Sequence, residues 1–252
     1  MYWGRCQRAA RLGAGAIEKG RITLHTSPGE LIKRYLLLLL GLTIMAFGVA
    51  FSIKASLGTS PISSVPYAVS TFTPLTVGTA TIAMHCVFIL IQILILRKKY
   101  ELIQLMQLPV AFFFGYLTDF GVWAVSGIVC ESYWQQWLIC LIGIFLVAVG
   151  VSLEVKANVV VLAGEGVVLA ICRVLPVKFG YMKVGFDVTL VVTACVLSIV
   201  FTGQLQGVRE GTVAAALLVG LIAKRLGKFW DGLGRRGDTG GSTVGNSVAE
   251  GA

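Results

Sequence analysis

The sequence predicts an all-α, polytopic membrane protein: six transmembrane helices arranged as two inverted three-helix repeats, each with a short broken or re-entrant segment. Three observations lead there. Of 252 residues, 56% are hydrophobic and 13% charged, and the mean hydropathy is +0.85, far from the balance of a soluble domain. Apolar runs with almost no charge recur along the chain. An internal repeat at one fixed offset relates the two halves.

Taken in order, residues 1–30 are polar and basic without an apolar core, and read as a cytoplasmic extension, so the first span itself is the expected insertion signal. The membrane domain is expected over 31–226, with repeat one at about 35–129 and repeat two at about 137–226, and 227–252 is expected to be a flexible cytoplasmic tail. The six runs are Tyr35–Ile53, Val77–Leu96, Leu105–Val129, Trp137–Leu153, Val184–Phe201 and Gly211–Ala223. They do not alternate apolar and polar as membrane β-strands do. At 1.5 Å per residue the last run reaches only about 20 Å, so Arg209 and Glu210 approach bilayer depth as an interfacial or a functional pair.

Between the first two runs lies Gly58–Thr73, too polar and too short to span. Ser60 reads as an N-cap and Pro61 as the first helical residue, where a missing N–H costs nothing, so a short helix of about 18 Å is expected over Pro61–Phe72.

The net charge of +9 is topogenic. Of 21 Lys and Arg, all but Lys54 and Arg209 fall on segments that lie on one side if both termini are cytoplasmic, which is the positive-inside pattern. The lipid bilayer is therefore the expected partner, and nucleic acid is not. The six cysteines are mostly single and inside apolar runs, without CxxC, and read as small buried residues rather than disulfides or metal ligands. No metal, cofactor or enzymatic activity is expected, since the chain has no GxSxG, no P-loop and no His/carboxylate cluster.

Aligning Gly143 with Gly41 sets an offset of 102, which also pairs Gly48 with Gly150, Lys54 with Lys156, Ala68 with Ala170, Pro74 with Pro176 and Gly78 with Gly180 without a gap. An odd number of spans per half makes the second copy enter from the opposite side. Val159–Leu175 is then the counterpart of Gly58–Thr73, and the N-terminus of the first short helix is expected to face Gly164-Glu165-Gly166 across the interior. Inverted repeats with paired discontinuities are a recurring transporter plan.

Solute-binding candidates are Ser60, Pro61, Ser63, Ser64 and Tyr67 in the first broken segment, Glu165 in the second, and Arg209 with Glu210 before the last run. Hydroxyls and helix N-terminal N–H groups suit an anionic group, and Arg209 adds positive charge. Capping and interhelical hydrogen bonding explain the serines equally well. His85, Asp119, Glu165 and Asp187 are candidates for proton or ion coupling, because ionisable groups within membrane segments are costly unless used. Structural readings stand beside these: hydrogen bonding for His85, the interface for Asp119, and neutralisation of Lys183 at i, i+4 for Asp187.

Gly58-Thr59-Ser60-Pro61 with Pro66-Tyr67, and Gly207-Val208-Arg209-Glu210-Gly211-Thr212, resemble recurring motifs of the YczE/YyaS/YitT group of bacterial integral membrane proteins, and its YczE-like members above all. The resemblance covers about residues 31–226. It implies a multi-span protein of the bacterial cytoplasmic (inner) membrane, and implies no solute, catalytic residue or oligomeric state. The expected function is a secondary transporter or permease-like protein for a small polar or anionic solute. The alternative is a non-transporting membrane protein that positions or assists a partner.

Overall fold

The computed structural model describes residues 28–97 and 100–238. Among them are eight α-helices: α1 Pro28–Lys54, α2 Pro61–Phe72, α3 Val77–Leu96, α4 Gln107–Ala124, α5 Tyr133–Ala157, α6 Ala163–Val174, α7 Phe179–Thr202 and α8 Glu210–Asp238. A 3-10 turn at Leu102–Met106 precedes α4, and the described residues contain no strand. Five helices, α1, α3, α4, α5 and α7, are long and apolar enough to cross a membrane, which makes this a multi-pass membrane architecture. The basic extension before Pro28 and the tail after Asp238 lie outside the described residues. From 227 to 238 the chain expected to be a flexible tail continues α8 instead.

Local chemistry sets the helix limits. Pro61 occupies the first turn of α2 and Ser60 precedes it in an extended conformation. At α3, Thr76 Oγ1 accepts from Thr79 N–H at 3.1 Å, while Asp119 of α4 accepts from Gly78 N–H at 2.7 Å and from the Thr76 hydroxyl at 2.6 Å. A carboxylate at a helix N-terminus satisfies orphan donors and opposes the helix dipole. Asn158 ends α5 and Gly203 ends α7, both in the left-handed region that closes helices.

The centre of the molecule is the antiparallel pair α1 and α5. Gly41 lies against the Gly150 carbonyl and Gly48 against Val147 N and the Gly143 carbonyl, so rising numbers on α1 meet falling numbers on α5. A Cβ on Gly48 would stand 2.7 Å from Val147 N, so only glycine permits this approach. Leu38, Leu42, Ala46, Val49 and Val147 fill the seam. Around it α4 packs on α1 and α3, and α8 packs on α5.

The two short helices pack on spans from the other half: α2 lies along α7, and α6 along α3. Their limits share the offset seen in the sequence, since Pro61 and Ala163, Phe72 and Val174, and Val77 and Phe179 each stand 102 residues apart. The first turns of α2 and α6 meet, because a Cβ on Gly164 would run into Ile62 Cδ1. Gln92 of α3 holds the junction by donating to the Ala163 carbonyl and to Gln107 Oε1, both at 3.0 Å.

Candidate functional site: a cleft at the Lys54 end

Beyond Lys54 the chain turns back into the protein. Ser56 has φ 56° and Gly58 φ 102°, and Leu57 between them is fully buried beside Cys140 and Ala215. A side chain at Gly58 would be strained by the backbone and would meet Thr212 Oγ1 and Arg209 N, so glycine is required here.

The loop from α7 to α8 closes over this turn. Thr59 N–H donates to the Gly207 carbonyl at 3.0 Å, and Gly211 N–H donates to the Leu57 carbonyl at 2.8 Å. Thr212 Oγ1 donates to the same Gly207 carbonyl at 3.3 Å. The segments Gly58–Pro61 and Gly207–Thr212, far apart in sequence, thus form one interlocked unit.

Beside this unit lies a cleft of about 190 Å3, lined in part by Ser52, Ser56, Thr59, Tyr67, Gln206 and Arg209. The Arg209 guanidinium is anchored at one edge: Nη1 donates to the Ser56 carbonyl at 3.1 Å, and Nε stands 3.4 Å from Glu210 Oε2. Guanidinium carries five N–H donors in a planar fork, so this anchoring leaves donors for a solute. Tyr67 supplies the wall under Gly207, where a Cβ would stand 2.5 Å from its ring.

The serines expected to meet an anion bond within their own segment. Ser60 Oγ donates to Ser63 Oγ at 3.0 Å and Ser64 Oγ to the Pro61 carbonyl at 2.7 Å. Ser63 and Ser64 N–H both donate to the Ser60 carbonyl, at 2.9 and 3.0 Å. Ser60 therefore occupies the N-cap position, but its hydroxyl makes no capping bond. With all three serines and Thr59 buried, the accessible polarity comes from Ser56, Tyr67, Gln206 and Arg209.

The remaining candidates fall elsewhere. Glu165, in the first turn of α6, interacts electrostatically with Glu154, Lys183 and Asp187. Lys183 Nζ donates to Asp187 Oδ1 at 2.6 Å, and Glu154 Oε1 accepts from Leu162 N–H at 2.9 Å. Asp119 is engaged at the start of α3. His85 is buried and stacks between Phe88 and Phe114 at 6.2 Å from each, with Nδ1 lacking a hydrogen-bond partner. The structure thus brings Tyr67 and Arg209 together at the cleft, with Glu210 paired to Arg209, and Glu165 with Asp187 around the start of α6.

Ser52, Ser56, Thr59 and Gln206 escaped the sequence reading. Thr59 could have been found, since it sits inside the Gly58–Pro61 motif that the sequence already singles out. Ser56 carries no such signal, because its place depends on a positive φ that sequence does not announce for serine.

Residues 32–228 match a Family of unknown function (DUF6198), and the chain belongs to that family. No curated protein and no solved structure matches it.

Proposed function

We propose that this DUF6198 member is a secondary transporter, permease-like in plan, which takes a small anionic solute into the Arg209 cleft. The observation that carries the reading is a guanidinium held at the edge of a half-open cleft of about 190 Å3, on an interlocked loop pair next to an interrupted membrane helix. At roughly 30 Å3 per water, that space equals about six waters and suits a small carboxylate or an inorganic anion. Arginine binds either bidentately and keeps its charge at every working pH.

In this reading α8 is the sixth span and the halves are inverted copies. Support comes from the shared offset of the helix limits, from the antiparallel α1–α5 pair, and from α2 and α6 each packing on the other half. Lys54 and Arg209, the two cations that the charge pattern sets apart, stand at one end, where Lys54 Nζ donates to the Ser126 carbonyl at 2.8 Å. We assign that end to the outside of a bacterial inner membrane and both termini to the cytoplasm. Glu165 and Asp187 are the candidates for a coupling proton or ion, since charges within the membrane are retained for use.

The test is flux into proteoliposomes under an imposed gradient, screened over small carboxylates and inorganic anions. The expected result is saturable uptake that falls about tenfold or more in Arg209→Ala, the loss of one charge-assisted contact, and less in Arg209→Lys. No flux for any anion, or uptake unchanged in Arg209→Ala, would remove this reading.

A further inference from the structure

The seam between α3 and α4 has no counterpart in the second half. In the first half Gly78 lies against the Gly115 carbonyl, Gly115 lies against Ile82, and Ala111 is 1% exposed. At the offset of 102, those positions become Gly180 and Val184 on α7 and Val213 and Leu217 on α8. There Gly180 has nothing within 4 Å, while Val184, Val213 and Leu217 are 62%, 63% and 64% exposed. Whereas α4 packs along α3, α8 packs along α5 and not along α7.

We propose that α8 closes onto α7 as α4 is closed onto α3, at a wider spacing because Leu217 stands at the offset position of Gly115, and that this closure alternates with the parting of α4 from α3. The proposal rests on the transport reading above, because two corresponding helix pairs held in different arrangements mark the two ends of a gating motion. The surfaces are suited to it. Val184, Val188, Val192, Val196 and Val200 form an exposed row at i, i+4 on α7, and Val213, Leu217 and Leu221 form another on α8. Neither row must shed a polar group to close, and lipid tails cover both rows while they stand apart.

The start of α8 is tied down by the Gly211 N–H bond to the Leu57 carbonyl, so the helix would pivot beside Arg209. Gly220, with nothing within 4 Å, leaves room further along. Parting the other seam would uncover His85, whose ring stacks on Phe114 of α4.

The test uses the full chain in proteoliposomes with the native cysteines replaced. Gly180→Cys with Leu217→Cys places thiols at the equivalents of Gly78 and Gly115, at open and exposed positions that tolerate the change. A short irreversible thiol crosslinker traps a closed state populated even at about 1–10%. Cys140 restored with Ala215→Cys, two neighbours in one cluster, is the positive control. The expected product is a crosslink within one chain, which stops flux and raises the maleimide reactivity of Ile82→Cys. Crosslinked dimers would make this face an interface between copies, and no product beside a working control would leave it a lipid face; either overturns the closure. A crosslink without flux in any variant would remove the transporter reading and leave the closure standing, and flux without the crosslink would remove the closure alone.

Discussion

Asp119 and Arg209 are both charged side chains near a helix N-terminus, and their partners give them different work. Both carboxylate oxygens of Asp119 are engaged, one by Gly78 N–H and one by the Thr76 hydroxyl, so its role is to start α3. Asp119→Asn keeps the shape and weakens the cap, at a cost of about 1–2 kcal/mol. The expected outcome is a lower melting temperature in detergent with uptake per folded molecule retained, its rate shifted only as far as a weaker α3–α4 seam shifts the proposed closure. Lost uptake at unchanged stability would return Asp119 to the coupling candidates. Gly207 has φ 78° and its missing Cβ points at Tyr67, so Gly207→Ala should destabilise by about 1–3 kcal/mol, read by the same melt. Tyr67→Ala in that background should recover only the steric part. The sequence made Ser60 an N-cap, and its backbone is one. The partner of its hydroxyl was not legible, because a local rule positions the backbone and cannot choose between Ser63 Oγ and an amide three residues on.

At the scale of elements, α2 was legible to the residue, since Ser-Pro opens a helix and the next Pro-flanked turn closes it. The reach of α8 to Asp238 was not, because glycines and charges between 227 and 238 obscure any apolar period. The glycines of α1 and α5 could be read as contact sites, and the structure shows which ones matter. Gly48→Leu would drive a side chain into Val147 N and the Gly143 carbonyl and should cost 1–3 kcal/mol or more, roughly the scale of an overpacked core. Gly29→Leu, with nothing within 4 Å, should leave the melting temperature within about 1 °C. Equal losses in the two variants would mean that the α1–α5 seam is not the centre of stability.

For the whole molecule, the offset of 102 was visible in the sequence, while the exchange of α2 and α6 between halves was not. Sequence similarity reports that two segments correspond, and says nothing about which neighbour each one packs on. The proposed orientation has a direct measurement: a protease site inserted at Gly127, which has open space around it, should be cut from outside in spheroplasts, and a reporter fused after Lys99 should read as cytoplasmic. The opposite pair of results would invert the molecule and place the Arg209 cleft on the inner face.

The meeting of Ile62 with Gly164 limits how such a protein could have arisen. In the inverted-repeat reading proposed above, these are one repeat position seen twice, facing itself. Two isoleucines would compete for the room that one occupies, and two glycines would leave a hole at the point where both helices begin. A pair of identical subunits could not escape that choice, whereas joining the copies in one chain lets each side of the crossing take its own residue. In that reading fusion does more than fix stoichiometry: it permits unlike residues where symmetry would demand the same one.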